Sequence, residues 1–155
     1  MSLLQAILAV ADNGVIGSAG RLPWDHPEDR EHFRLTTWGH AVLMGRRTWE
    51  EVGSALPGRE NVVLSSRLVA PAGARVATSL DAALELAFAL DPEPFVIGGA
   101  ALFAAAWPRV RRVYLTRIPG APPGDTRFEP DLAGFRLLEE RAGLAGLRYL
   151  VLERA

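Results

Sequence analysis

Residues 95–107 read Phe95-Val96-Ile97-Gly98-Gly99-Ala100-Ala101-Leu102-Phe103-Ala104-Ala105-Ala106-Trp107. Phe95 to Ile97 is a run of β-branched and aromatic residues, the composition of a strand. Two glycines break it, and the alanine-rich stretch that follows predicts a helix ending near Trp107-Pro108. A strand that passes through a glycine turn into a helix is a building unit of a mostly parallel α/β sheet. The same unit recurs upstream, where His40 to Met44 predicts a strand and Arg46 to Val52 a short helix.

Further strands follow from the same reasoning. Leu3 to Ala11 is apolar almost throughout, as a central strand buried on both faces must be, and Asp12-Asn13-Gly14 ends it with turn chemistry. Asn61 to Ser65, Arg75 to Ala77 and Val113 to Ile118 read as strands. Phe135 to Leu138 and Leu147 to Leu152 read as a hairpin closing one edge. Pro27 suits a first helical turn, and Thr78 with Asp81 forms a capping-box pattern that opens a helix through Leu90. The Pro119–Gly124 loop is too short for a linker. The expectation is one domain over residues 1–155, an α/β sandwich with a mostly parallel sheet.

Composition narrows the chemistry. A chain of 155 residues, 49% hydrophobic, can bury a real core. The net charge of −1 provides no long-range field for nucleic acid or an anionic membrane. The apolar N-terminus has no basic start or cleavage site, so it reads as a strand, and no apolar run can span a bilayer; a cytoplasmic location is expected. There is no cysteine, and all 17 basic residues are arginine. That removes thiolate catalysis, Schiff-base lysines and the Walker lysine. His26, His32 and His40 lack metal-ligand spacing, so no metal is expected. No G-x-S-x-G elbow is present. Cofactor-borne chemistry remains.

Ligands of open α/β sheets bind beyond the carboxyl ends of the strands. Three such ends here carry suggestive residues: Met44-Gly45-Arg46-Arg47-Thr48-Trp49, Leu64-Ser65-Ser66-Arg67 and Ile97-Gly98-Gly99-Ala100. Arginine forks, hydroxyls and glycine-exposed amides all suit phosphates, although each segment also reads as a basic helix face or a plain turn. No G-x-G-x-x-G occurs, so an ordinary Rossmann domain is not supported. In residues 22–33, Leu22-Pro23-Trp24-Asp25-His26-Pro27-Glu28-Asp29-Arg30-Glu31-His32-Phe33, Asp29 and Phe33 share a helix face. An acid beside an aromatic ring suits a flat ligand with an amidine-like edge; an acid in a first turn also simply complements the helix dipole. These residues alone leave both readings open.

Taken in order, the motifs resemble dihydrofolate reductase. They are Gly14-Val15-Ile16-Gly17, Leu22-Pro23-Trp24, the Pro27/Asp29/Phe33 helix, Met44 to Glu50, Leu56-Pro57-Gly58-Arg59, Val62 to Ser66, Val96-Ile97-Gly98-Gly99, Tyr114-Leu115-Thr116 and Gly124-Asp125-Thr126-Arg127-Phe128. The resemblance implies a single-domain three-layer sandwich. Its central eight-stranded sheet would be mostly parallel, with flanking helices and an antiparallel C-terminal edge strand.

It also implies that NADPH donates hydride to C6 of dihydrofolate. Asp29 would bind the pterin's 2-amino group and N3, supported by Thr116, with N5 protonated through water near Trp24. Burial would raise the pKa of Asp29 and the helix terminus would lower it. Phe33, Val52 and Leu56 match the walls around the substrate rings, and Arg59 the partner of the glutamate α-carboxylate. Ile7 and Ile97 would face the rings with their carbonyls, and Ala9 lies near both. Gly45, Arg46, Arg47 and Thr48 match the cofactor phosphate segment, flanked by Leu64, Ser65 and Ser66; Arg46 and Ser66 would recognise the 2′-phosphate. Gly98-Gly99 matches a cis peptide. Leu22 would belong to a mobile loop, residues 14–24, that closes over the nicotinamide, and Ile16, Gly17 and Ala100 also fall on the cofactor side.

Departures from the family pattern are Ala100 for a third glycine, Ala101 for a frequently basic residue, Phe103 for a tyrosine near the nicotinamide, and Arg30 at the pocket rim, where it would reach the glutamate tail. Antifolates such as methotrexate or trimethoprim are expected inhibitors, and the protein is expected to be a monomer serving one-carbon metabolism. Two alternatives stand beside this reading. One is another NADPH-dependent pterin or pyrimidine reductase on the same fold, which would not share the Leu22-Pro23-Trp24 and Asp29/Phe33 arrangement. The other is a non-catalytic folate-binding descendant.

Overall fold

A computed structural model of the chain describes residues 2–17, 24–67 and 71–155. The apolar N-terminal run forms β1 (Leu4–Ala11), followed by the short strand β2 (Val15–Gly17). Pro27 is the first residue of α1 (Pro27–Thr37), and β3 (Ala41–Gly45) runs directly into α2 (Arg46–Val52). Then come β4 (Glu60–Leu64), β5 (Ala74–Ala77) and α3 (Leu80–Leu90). The opening stretch folds as β6 (Phe95–Gly98) and α4 (Ala100–Ala106), joined by a cis peptide between Gly98 and Gly99. The chain ends with β7 (Val110–Ile118), β8 (Thr126–Arg127), β9 (Phe135–Ala142) and β10 (Arg148–Arg154).

Eight strands form one sheet in the order β5-β4-β3-β6-β1-β7-β10-β9. The run from β5 to β7 is parallel, and β10 pairs antiparallel with both β7 and β9. The C-terminal strand is therefore antiparallel, as expected, but lies one place in from the edge, which β9 occupies. Strand β1 sits between β6 and β7, which is why its sequence is apolar nearly throughout.

The period-two geometry of strands divides the core into two layers. Leu4, Ala6, Leu8 and Val10 of β1, with Leu43, Val62 and Val96, pack against Ala83, Leu84 and Ala87 of α3 and Leu102, Phe103 and Ala106 of α4. The intervening positions, Ile7, Val42, Met44, Val63 and Phe95, face Phe33 of α1 and Trp49 of α2. Helices on both faces complete the three-layer sandwich.

Local chemistry accounts for where the boundaries differ from expectation. The cap of α3 is Ser79, whose Oγ accepts from Ala82 N–H at 3.1 Å, not Thr78. Strand β7 begins at Val110, earlier than its apolar run, because Val110 pairs with Leu4 of β1 and is buried, while Arg111 and Arg112 interrupt the apolar pattern. Strand β9 extends through Glu139, Glu140 and Arg141, an edge whose charged residues conceal alternation. The pair β2–β8 was not expected from periodicity; its segments are too short to show any.

Candidate active site

A cleft of about 1210 Å³ opens where β1, β3, β6 and β7 end. It is lined by Ile7 and Ala9 from β1, Gly45 from β3, Ile97 and Gly98 from β6, and Thr116 from β7. Helix α1 supplies one wall with Asp29, Arg30, His32, Phe33 and Arg34. The fold brings these groups together because strand ends in a parallel sheet all finish on one side.

Asp29 is held from across the cleft. Thr116 Oγ1 donates to its Oδ1 at 2.9 Å, and Thr116 is itself 2% exposed. Thr116 aligns with Ala9 on one side and Tyr149 on the other, so three strands fix the hydroxyl. Burial pushes the Asp29 carboxyl up from the ordinary carboxylate range, while Thr116, His32 and His26 pull it down more weakly. Desolvation thus outweighs the hydrogen bond and the neighbouring histidines. Trp24 lines the same cleft, and its buried indole N–H has no hydrogen-bond partner among the described residues.

The outer rim is cationic. Arg59 Nε donates to Pro57 O at 2.9 Å and Nη1 to Thr37 Oγ1 at 3.2 Å. Arg59 and Arg34 both lie against the ring of Trp38, at 5.6 Å and 5.7 Å. Burial, and then the neighbouring Arg34, lowers the pKa of Arg59. Arg34 pairs with Glu31, its Nε donating to Oε2 at 3.0 Å, while Arg59 has no carboxylate partner among the described residues. Arg30 also lines the cleft, but its guanidinium pairs with Asp25. Val52 and Leu56 line the same cleft, and Leu56 packs in the cluster that holds Phe33.

The other half of the cleft is built from strand-to-helix joints. Gly45 and Gly99 cap α2 and α4 without any side-chain hydrogen bond, leaving first-turn amides available. Arg46, Arg47 and Thr48 follow the first joint; Gly98, Ala100, Ala101 and Phe103 surround the second. Ile16 and Gly17 of β2 and Thr126 and Arg127 of β8 close the side. Leu64, Ser65 and Ser66 lie in an adjoining pocket of about 410 Å³ with Arg67, Thr78, Ser79 and Leu80. Arg46 belongs to both cavities and pairs with Glu50 at 2.7 Å.

Every sequence-predicted site residue among the described residues therefore borders the cleft or its side pocket; Leu22 and residues 18–23 of the expected loop lie outside the described residues. Sequence reasoning missed His32, Arg34, Glu51 and Asp125. The i, i+3 and i, i+4 spacing from Asp29 and Arg30 was the available signal for the first two. Burial raises the Glu51 carboxyl, against Arg47 and with Asp125. Thr78 and Ser79 were read only as cap residues.

Comparison with known proteins agrees with this geometry. The family model described as dihydrofolate reductase matches residues 3–145. The chain is 46% identical over 139 residues to dihydrofolate reductase type 3 of Salmonella typhimurium, covering 88% of this chain and 85% of that protein. It is 43% identical over 122 residues to dihydrofolate reductase of Mycobacterium tuberculosis, covering 76% and 73%. A solved structure of dihydrofolate reductase from Enterococcus faecalis, complexed with NADP(H) and RAB-propyl, superposes with a TM-score of 0.92 at 30% identity, covering 98% of this chain and 96% of that one. Motif order, fold and cleft architecture thus converge, and the chain belongs to the dihydrofolate reductase family.

Proposed function

We propose that the protein reduces 7,8-dihydrofolate to 5,6,7,8-tetrahydrofolate with NADPH. The observation that carries this reading is the carboxylate of Asp29, held by Thr116 in a cleft whose lining includes the apolar Phe33, Ile7 and Ala9. The pterin's 2-amino group and N3 present two adjacent donors, which a carboxylate accepts with both oxygens and a neutral amide does not.

The residues also fit NADPH. Two uncapped helix starts, Arg46, Arg47 and Thr48 form a donor set for a diphosphate. The side pocket offers Arg46 beside Ser66 for a further phosphate. Bound there, NADPH would supply the hydride for C6 of the pterin. Asp29 orients the ring and favours its protonation at N5. The proton travels through water beside Trp24, whose unpartnered indole N–H suits a bound water. Ile97 and Phe103 line the nicotinamide side and exclude solvent, and Arg59 takes the glutamate α-carboxylate, with Arg34 beside it. The Asp29 site is also where antifolates such as methotrexate or trimethoprim would bind. We read the protein as a cytoplasmic monomer supplying reduced folate for one-carbon transfer.

The test follows NADPH absorbance with dihydrofolate in wild type and Asp29→Asn. Wild type should turn over, and the variant should lose about 100-fold, roughly 2.7 kcal/mol. Equal rates would overturn the role given to Asp29.

A further inference from the structure

The wall that carries Asp29 holds a second titratable group that the reduction does not use. His32 follows Asp29 by one helical turn, and both line the cleft. The imidazole rests on Tyr149 of β10, with ring centroids 4.5 Å apart and tilted by 52°. Arg141 of β9 lies over the same tyrosine at 4.1 Å and brings Nη2 to 3.4 Å from His32 Nδ1. A guanidinium has donors only, so the nitrogen it meets must be the unprotonated one. The ring proton then sits on Nε2.

The surrounding charges oppose one another. On α1, Asp29 and Glu28 favour an imidazolium, whereas burial and Arg141 disfavour it, and burial prevails. From β10, Tyr149 remains a neutral phenol, its pKa pushed up to about 12 by burial and then by Asp29 and Glu28. His26, at the cap of α1, also acts on Asp29.

We infer that Arg141 is a positioning residue that, with burial, holds His32 as the neutral Nε2–H imidazole at neutral pH, so that no imidazolium stands beside Asp29 in the cleft there. An imidazolium one turn away would stabilise the Asp29 anion and oppose protonation of a bound pterin. Arg141 reaches in from the edge hairpin and protects the proton affinity of the pair without touching substrate. This inference rests on the proposed role of Asp29 as pterin anchor.

The test titrates the free protein by NMR, reading imidazole ¹⁵N shifts of His32 and the ¹³Cγ shift of Asp29 in wild type, Arg141→Gln, Arg141→Lys, His32→Gln and the Arg141→Gln/His32→Gln pair. Wild type should show the Nε2–H tautomer at pH 7. Arg141→Gln should raise the His32 midpoint by about one pH unit and lower that of Asp29. Arg141→Lys should stay near wild type, and the double variant should restore the Asp29 midpoint. A wild-type imidazolium or Nδ1–H tautomer at pH 7 would overturn the inference, as would an unmoved His32 midpoint in Arg141→Gln. So would an Asp29 midpoint lowered equally in the double variant. Single-turnover rates against pH form a separate arm, in which the Arg141→Gln profile moves toward lower pH. Absence of dihydrofolate reduction in wild type would refute the proposed function, while the NMR arm would still decide the Arg141 device.

Discussion

Asn61 makes a demanding test of how the substrate rim is held. It lies on β4, is 2% exposed, and braces the loop that carries Leu56 and Arg59. Its Oδ1 accepts from Leu56 N–H at 2.9 Å, and its Nδ2 donates to the carbonyls of Leu56 and Arg59, both at 3.0 Å. In Asn61→Ala all three bonds go. At a net value of about 1 kcal/mol each the loss would be about 3 kcal/mol, but the freed loop can hydrate its own backbone. We therefore expect about 2 kcal/mol and a fall in Tm of roughly 4–8 °C. Arg59 would keep its contact with Thr37 but lose the backbone that aims it. The KM for dihydrofolate should rise about tenfold, equivalent to 1.4 kcal/mol, with kcat within about twofold because Asp29 and Thr116 lie on other elements. Thermal denaturation and steady-state kinetics with dihydrofolate and with a pterin lacking glutamate would measure this. An equal rise in KM for both substrates, or a tenfold fall in kcat, would refute the reasoning.

Arg46→Ala should weaken NADPH binding by about 2 kcal/mol, roughly 30-fold, and leave NADH nearly unchanged, as measured by cofactor titration; equal losses would remove Arg46 from the 2′-phosphate. Arg59→Gln should raise KM for dihydrofolate but not for a pterin without glutamate. A Cβ on Gly124 would fall 2.4 Å from Val15 Cγ1 and 2.6 Å from the Gly17 carbonyl. Gly124→Ala should therefore cost about 1–3 kcal/mol and weaken NADPH binding, because the β2–β8 pair it pries apart lines the cleft. Asp29 binds its proton more tightly folded than unfolded, so its share of stability is lost as pH rises from the ordinary carboxylate range through the raised pKa. Thermal scans across that window should show the decline in wild type and its absence in Asp29→Asn.

What could be read from the chain depended on how local the determining physics was. The strand of β6, the glycine joint and the helix α4 were legible because propensity and turn chemistry agree there. Asp29 was not settled by its own surroundings in sequence. An acid in a first turn looks the same whether it answers the helix dipole or a ligand, and Thr116, which holds it, lies 87 positions away. Family motifs supplied that pairing; residue patterns did not. The adjoining pocket illustrates a different limit. Thr78 and Ser79 have one signature, a helix cap, yet the start of α3 also walls the cavity beside Ser65 and Ser66. Arg30 and Arg34 are equally plausible rim cations by spacing, and each has a carboxylate partner, Asp25 and Glu31; the fold adds the ring of Trp38 to Arg34 alone of the two.

Net charge says little about the local electrostatics of the cleft. A value of −1 for the whole chain is compatible with a cleft lined by Arg30, Arg34, Arg46, Arg47, Arg59 and Arg127 against only Asp29, Glu51 and Asp125. Arg30 and Arg46 already have carboxylate partners in Asp25 and Glu50, so binding anions there means exchanging one partner for another. Arg34 is likewise paired, its Nε donating to Glu31 Oε2 at 3.0 Å, and it shares one indole with Arg59, which has no carboxylate partner among the described residues. An anion arriving at Arg59 meets a cation held only by Pro57 O and Thr37 Oγ1, whereas at Arg34 it must share or displace Glu31. Because the chain has no lysine, each of these contacts is a planar fork that fixes direction as well as charge. Under the proposed function, the pterin edge and the substrate tail would be oriented from opposite ends of one helix, α1, with Asp29 in its first turn and Arg34 in its last.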